Sequence, residues 1–122
     1  MTRCTLWILL LIIAGCGGKI DYATIPGSAL YQVRCVPCHG AEGRGDGPAA
    51  VAIQPKPRAF SDVAWQDSVT DQHLAKVIAG GGLAVGKSGA MPPQPDLGEH
   101  PEALQRLITH LRSLKAAPLP NR

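Results

Sequence analysis

The sequence predicts a small all-α domain of three to five helices joined by long Gly/Pro-rich loops, on three observations. Beyond Pro101, residues Leu104, Leu107, Ile108, Leu111 and Leu114 form the i, i+3, i+4, i+7 stripe of one helix face. No stretch alternates apolar and polar residues as a half-buried strand would. The large apolar side chains are few: beyond the first fifteen residues, the 122-residue chain keeps one Phe, one Trp and two Tyr. A core of Ala, Val, Leu and Ile alone is thin at this length, and a bound group would fill it.

Residues 1–15 read as an export signal. Arg3 supplies a positive start, and Leu6 through Ala14 is an uninterrupted apolar run. That run is well short of the roughly 20 residues a membrane-spanning helix needs. The segment Ile13-Ala14-Gly15-Cys16 behind it resembles the lipobox of bacterial lipoproteins. The resemblance implies cleavage before Cys16 and acylation of that residue, anchoring the chain to a membrane on the periplasmic side of a bacterial envelope. Gly17 after the cysteine leaves the choice of inner or outer membrane open. The alternative is plain secretory cleavage between Gly15 and Gly18, with Cys16 left as a free thiol. Residues 16–26 then form the anchor and a short Gly-, Lys- and Asp-containing tether without structure of its own. The folded domain spans 27–115, and 116–122 is a frayed tail.

Within the domain the first helix is expected from Gly27 or Ser28, with Ser28 as an acceptable cap and Ala29, Leu30, Val33 and Val36 on its apolar face beside Tyr31. Pro37 should end or distort it. From Gly40 to Pro57, seven Gly and Pro residues predict an extended loop with one short turn at 49–53. A loop this long in a small domain needs something to wrap. A short helix is expected around Val63-Ala64-Trp65. A firmer one spans Asp71 to Ala79, capped by Thr70, with Leu74, Val77 and Ile78 on one face and Gly80-Gly81-Gly82 ending it. Residues 83–99 read as loop. The last helix begins near Pro101, with Glu102 in its first turn and Arg112 and Lys115 near its end, as the helix dipole favours.

The chemistry concentrates in Cys35-Val36-Pro37-Cys38-His39. Positions i and i+3 share a helical face, so two thiols can meet one edge of a planar group while the next residue presents an imidazole. The C-x-x-C-H pattern is the attachment signature of a c-type haem. Cysteine arithmetic agrees: Cys4 leaves with the signal, Cys16 is taken by lipid, and only Cys35 and Cys38 remain in the domain. A disulfide between residues three apart would constrain almost no chain. Haem-free zinc or dithiol chemistry would need two further ligands or a thioredoxin-like βαβ pattern, and neither is present in the sequence.

An electron-transfer haem takes a sixth iron ligand. Once the signal is removed, Met91 is the sole methionine, in the loop Gly89-Ala90-Met91-Pro92-Pro93. Thioether sulfur suits iron and raises its potential, and the two prolines stiffen the backbone that presents it. His73, His100 and His110 are the competing candidates. A bis-histidine site is the alternative coordination, with a lower potential.

With these residues in hand, the chain resembles the class I cytochromes c, small all-helical monohaem domains, over about residues 27–115. The resemblance implies one covalent haem c bound through Cys35 and Cys38, with His39 and Met91 as axial ligands. It further implies that the first and last helices cross, with Gly27 and Tyr31 facing Leu107 and His110, although the family usually carries an aromatic at the last of these. A proline carbonyl in the loop after the haem motif should fix the proximal imidazole, with Pro48 the best match and Pro55 the second. Arg58 or Trp65 would reach a haem propionate. The loop 41–48, with Lys56 to Phe60 and Ala84 to Lys87, is similar to the branch found in bacterial respiratory chains and oxidase subunits.

The expectation is therefore an electron carrier rather than an enzyme, a monomeric domain exchanging electrons with redox partner proteins and held to the membrane by its lipid. Nothing resembling a catalytic triad, a metal-hydrolase motif or a phosphate loop is present. The alternatives are a dedicated haem subunit of a larger respiratory or dehydrogenase complex, and a redox or gas sensor from whose iron Met91 dissociates. Charge points to no nucleic-acid partner. Of the 12 Lys and Arg, Arg3 leaves with the signal; the remaining 11 face 9 Asp and Glu, with no basic run.

Overall fold

The computed structural model describes residues 18–116, so the expected signal at 1–15, the lipidation candidate Cys16 and the tail from residue 117 lie outside the described residues. Six helices follow in the order α1 (Gly27–Arg34), α2 (Val36–His39), α3 (Val63–Ser68), α4 (Asp71–Gly80), α5 (Pro95–Glu99) and α6 (Pro101–Ser113). Short 3-10 turns occupy Pro48–Ala52 and Gly82–Val85. No strand occurs among the described residues, as the all-α reading requires.

The frame is the crossing of α1 and α6. The stripe of α6 goes inward as its period demands: Leu104, Leu107, Ile108 and Leu111 are buried, joined by Ala103, and Leu114 is half-buried. At the crossing Gly27 lies so close to α6 that a Cβ would overlap the carbonyl of Arg106, and four residues on the Tyr31 ring meets the His110 ring at 5.0 Å. The facing set expected from the resemblance is the observed one. His110 substitutes for an aromatic by offering a flat ring to Tyr31.

Several local readings are corrected. Pro26, not Ser28, occupies the cap of α1, and no side-chain cap bond forms there. Val33 is exposed rather than on the apolar face, because the buried side of α1 runs through Gly27, Leu30 and Tyr31. The helix breaks at Cys35, two residues before Pro37, and the proline enters α2 in its first turn, where a missing N–H is harmless. Residues 83–99, read as loop, contain the helix α5. It packs on α4 so closely that a Cβ on Gly98 would press on Ala79 at 3.2 Å. The expected turn at 49–53 is the 3-10 turn Pro48–Ala52, and Thr70 caps α4 by accepting the His73 N–H at 3.1 Å.

The tether reading also changes at its domain end. Asp21 accepts the Ala23 N–H at 3.0 Å and the Thr24 hydroxyl at 2.6 Å, closing a turn over residues 21–25. Arg106 from α6 holds that turn by donating to the Ile25 carbonyl at 2.9 Å and to the Tyr22 carbonyl. Tyr22 and Ile25 pack on the core, so order begins before the first helix.

Candidate functional site: a cleft lined by two cysteines, a histidine and a methionine

The loop 40–57 and the segments beyond it enclose a largely apolar cleft of about 370 Å³, within the ordinary range of ligand sites of roughly 300–1,000 Å³. Cys35, Cys38, His39 and Met91 all line it, so four residues separated by up to 56 positions come together at one place. Ile53, Pro55, Lys56, Pro57 and Arg58 form one wall, so it is the end of the long Gly/Pro loop that faces the cleft.

The first three residues are placed by α1 and α2. The Tyr31 hydroxyl donates to the Gly40 carbonyl at 2.7 Å, tying the core helix to the end of the haem-motif turn. Burial pushes the Tyr31 phenol up to about 12, so it remains a donor at any ordinary pH. Within the turn, the His39 N–H donates to the Cys35 carbonyl at 2.8 Å and the Cys38 N–H to the same oxygen at 3.1 Å. Both cysteines are half-buried free thiols. Burial raises Cys35 to about 11, with the neighbouring Arg34 opposing the shift and Cys38 adding to it. It is a protonated thiol near neutrality.

His39 is buried and fixed on two sides. Its Nδ1 lies 2.9 Å from the Arg58 carbonyl, and the Phe60 ring stacks on it at 4.3 Å and 19°. A carbonyl can only accept, so Nδ1 carries the proton and Nε2 keeps its lone pair. Desolvation pulls the imidazole pKa below 6.5 against the opposing Arg58 hydrogen bond, which keeps the ring neutral and able to ligate. This corrects the expected partner: neither Pro48 nor Pro55 supplies the carbonyl. Pro48 begins the 3-10 turn that packs on α2, and the chain reaches the imidazole only ten residues later.

Met91 is held from behind by glycines. The Gly82 N–H donates to its carbonyl at 3.0 Å, and Gly81, at φ 75°, lies where a Cβ would meet Pro93 N at 2.8 Å and the Met91 carbonyl at 2.9 Å. The glycine triplet therefore does more than stop α4; it lets the Met91 loop lie against the helix end. Of the rival histidines, His73 also lines the cleft from the exposed first turn of α4. His100 stacks on Tyr22 at 4.0 Å and His110 sits in the helix crossing, so neither is among the residues lining the cleft.

Arg58 and Trp65 both line the cleft, with the guanidinium 5.0 Å over the indole and paired to Asp62. Asp62 also caps α3 by accepting the Trp65 N–H at 3.0 Å. Sequence reasoning named Arg58 for its side chain and missed that its carbonyl orients His39. It missed Phe60 as well, although that is the sole phenylalanine of the chain. Among the described residues no group of three or more His, Cys, Asp or Glu is arranged to hold a metal ion by itself.

The donor set fits a haem held by its edge and its iron. Two thiols, one neutral imidazole with a free Nε2 and one thioether face a cleft whose lining is otherwise mainly apolar. Comparison with known proteins agrees. The family model described as cytochrome c matches residues 25–115. Among solved structures, the KustC0563 c-type cytochrome is similar, with 27% sequence identity and a TM-score of 0.56, over 75% of this chain and 99% of that one. No curated protein matches the chain.

Proposed function

The chain belongs to the cytochrome c family, carrying one covalent haem c and serving haem-based electron transfer, and from that premise we propose that it is a membrane-tethered carrier with His39 and Met91 as its axial ligands. The observation that carries the reading is the convergence of Cys35, Cys38, His39 and Met91 on one cleft. Bound there, the haem supplies one-electron cycling between Fe(II) and Fe(III).

The chain's part is to hold the group and set its surroundings. Cys35 and Cys38 would hold the group by its edge through thioether links, at the α1–α2 junction. His39 offers Nε2 because the Arg58 carbonyl takes Nδ1–H, and Phe60 keeps the ring from turning. Met91 offers soft sulfur, which favours Fe(II) and raises the potential. With both residues kept as ligands in either oxidation state, reorganisation would be small and electron passage would need no bond made or broken. Cys16, acylated, would hold this domain to the membrane through residues 17–20.

Spectra of protein made in cells competent for haem attachment test the reading. Haem should survive acid–acetone extraction, and a weak Fe(III)–thioether band should vanish in Met91→Ala while persisting in His73→Ala. A band that survives Met91→Ala, or is absent from the unmutated protein, would remove Met91 from the site. Cys16→Ser should release the protein from membranes; retention would count against the lipid tether.

A further inference from the structure

We propose that Arg34 is a positioning residue for Met91: it clamps the Met91 loop to the turn that bears Cys35 and sets how readily that loop opens. The proposal rests on Met91 ligating the iron.

Arg34 is the last residue of α1, immediately before Cys35, and lines the cleft. Its guanidinium reaches across to the segment that follows Met91. Nη1 donates to Gln94 Oε1 at 2.9 Å, and Nη2 lies 2.7 Å from the Asp96 carboxylate and 3.0 Å from the Tyr22 hydroxyl. Tyr22 in turn donates to Asp96, which closes the network onto the turn at 21–25. The Arg34 side chain is only 17% exposed. Gln94 and Asp96 follow Met91 by three and five residues, so the clamp grips the start of α5, just beyond the ligand loop.

The backbone ties of that loop run elsewhere. The Gln94 N–H donates to Ile78 and Ala79 of α4 at 3.0 and 3.2 Å, and the Met91 carbonyl accepts from Gly82. These bonds fasten the loop to α4 and leave its relation to the α1–α2 junction unspecified. The Arg34 fork supplies that relation. A planar guanidinium can serve an amide, a carboxylate and a phenol together, which a lysine ammonium cannot do in the same geometry. Opening the loop far enough to free Met91 from the iron would strain charge-assisted bonds, so the clamp biases the ligated state.

The test is the affinity of the ferric holoprotein for added imidazole, which competes with Met91, followed by loss of the Fe(III)–thioether band. Arg34→Gln should tighten apparent imidazole binding roughly tenfold, since the open form is then populated more. Arg34→Lys should recover part of the difference. Arg112→Gln is the control for general loosening, because that arginine ties α6 to the Gln66 and Val69 carbonyls at 2.6 and 2.7 Å, away from the Met91 loop. It should lower the unfolding midpoint and leave imidazole affinity unchanged. Should Arg34→Gln yield no holoprotein, Asp96→Asn cuts the clamp from its more exposed end and should shift affinity in the same direction, by less. An Arg34→Gln protein that keeps the band and binds imidazole like the parent would overturn the clamp and leave Met91 in place. Equal shifts in Arg34→Gln and Arg112→Gln would also overturn it. Absence of the band from the parent would instead remove the Met91 ligation on which the clamp depends.

Discussion

The Nδ1 of His39 lies 2.9 Å from the carbonyl oxygen of Arg58, nineteen residues along the chain. That bond assigns the proton, frees Nε2 and defines the direction in which the imidazole faces. The Phe60 ring two residues further on stacks against the same imidazole. One short segment, 58–60, therefore orients the ring by its backbone and its side chain together.

Phe60→Leu tests this pairing. It removes an aromatic stack and part of a buried ring that also touches Tyr31 and Trp65. The expected cost is about 1–3 kcal/mol in a denaturant titration of the holoprotein. The reduction potential should shift as the imidazole gains freedom. A destabilised Phe60→Leu with the parent's potential would show that the Arg58 carbonyl orients the ring without the stack.

Much of this site could be read from side-chain identity, and what escaped was mostly backbone. C-x-x-C-H and the one methionine beyond Met1 stand out because haem chemistry calls for thiol, imidazole and thioether atoms. A carbonyl acceptor has no such signature: any residue owns one, so the choice among Pro48, Pro55 and Arg58 depends on how the loop folds. Helix α5 was hidden for a related reason. Its Pro95 and Gly98 resemble loop punctuation, yet the proline starts the helix and the glycine allows close approach to Ala79. The Arg34 clamp joins residues 60 and 62 positions apart, which no local pattern reports.

Gly27 is expected to tolerate no side chain. A Cβ would overlap the Arg106 carbonyl and lie 2.9 Å from the Leu107 nitrogen, both backbone atoms of a packed helix. Helices α1 and α6 would have to separate. Gly27→Val should cost about 3 kcal/mol or more, since overpacking at a rigid contact is relieved only by moving backbone. The measurement is the unfolding midpoint, and a loss below about 1 kcal/mol would show that the crossing can widen.

The Asp96 carboxyl is held down at about 2 from its usual 3.8, first by the Arg34 hydrogen bond and then by Tyr22. A carboxyl depressed in the folded state stabilises above its unfolded pKa and loses that contribution as pH falls through the folded value. The window therefore runs from about pH 4 down to about pH 2. The carboxylate is 38% exposed, so solvent screening limits the contribution to about 1 kcal/mol. Comparing the parent with Asp96→Asn by denaturant titration should give a gap of that size near neutrality that closes across the window. A gap independent of pH would mean that the lost contacts, and not the charge, account for it.

Gln66 links the far side of the core to the site. It is 3% exposed, and its amide donates to the Phe60 carbonyl at 2.8 Å and the Leu111 carbonyl at 2.9 Å. Its oxygen accepts from Arg112 at 2.9 Å, so every polar atom of the side chain is used. Gln66→Leu keeps similar bulk while leaving two carbonyls and a guanidinium short of partners. A buried orphan costs about 1–3 kcal/mol, although the Leu111 carbonyl keeps the Leu114 N–H and Arg112 retains Val69 and Asp71, so both lose less than the Phe60 carbonyl. The expected loss is about 2–4 kcal/mol in the unfolding titration. Because the Phe60 carbonyl is one of the orphans, the stack on His39 should loosen too, and the potential should shift in the direction seen for Phe60→Leu. A destabilised Gln66→Leu with the parent's potential would show that the amide supports the core without orienting the imidazole.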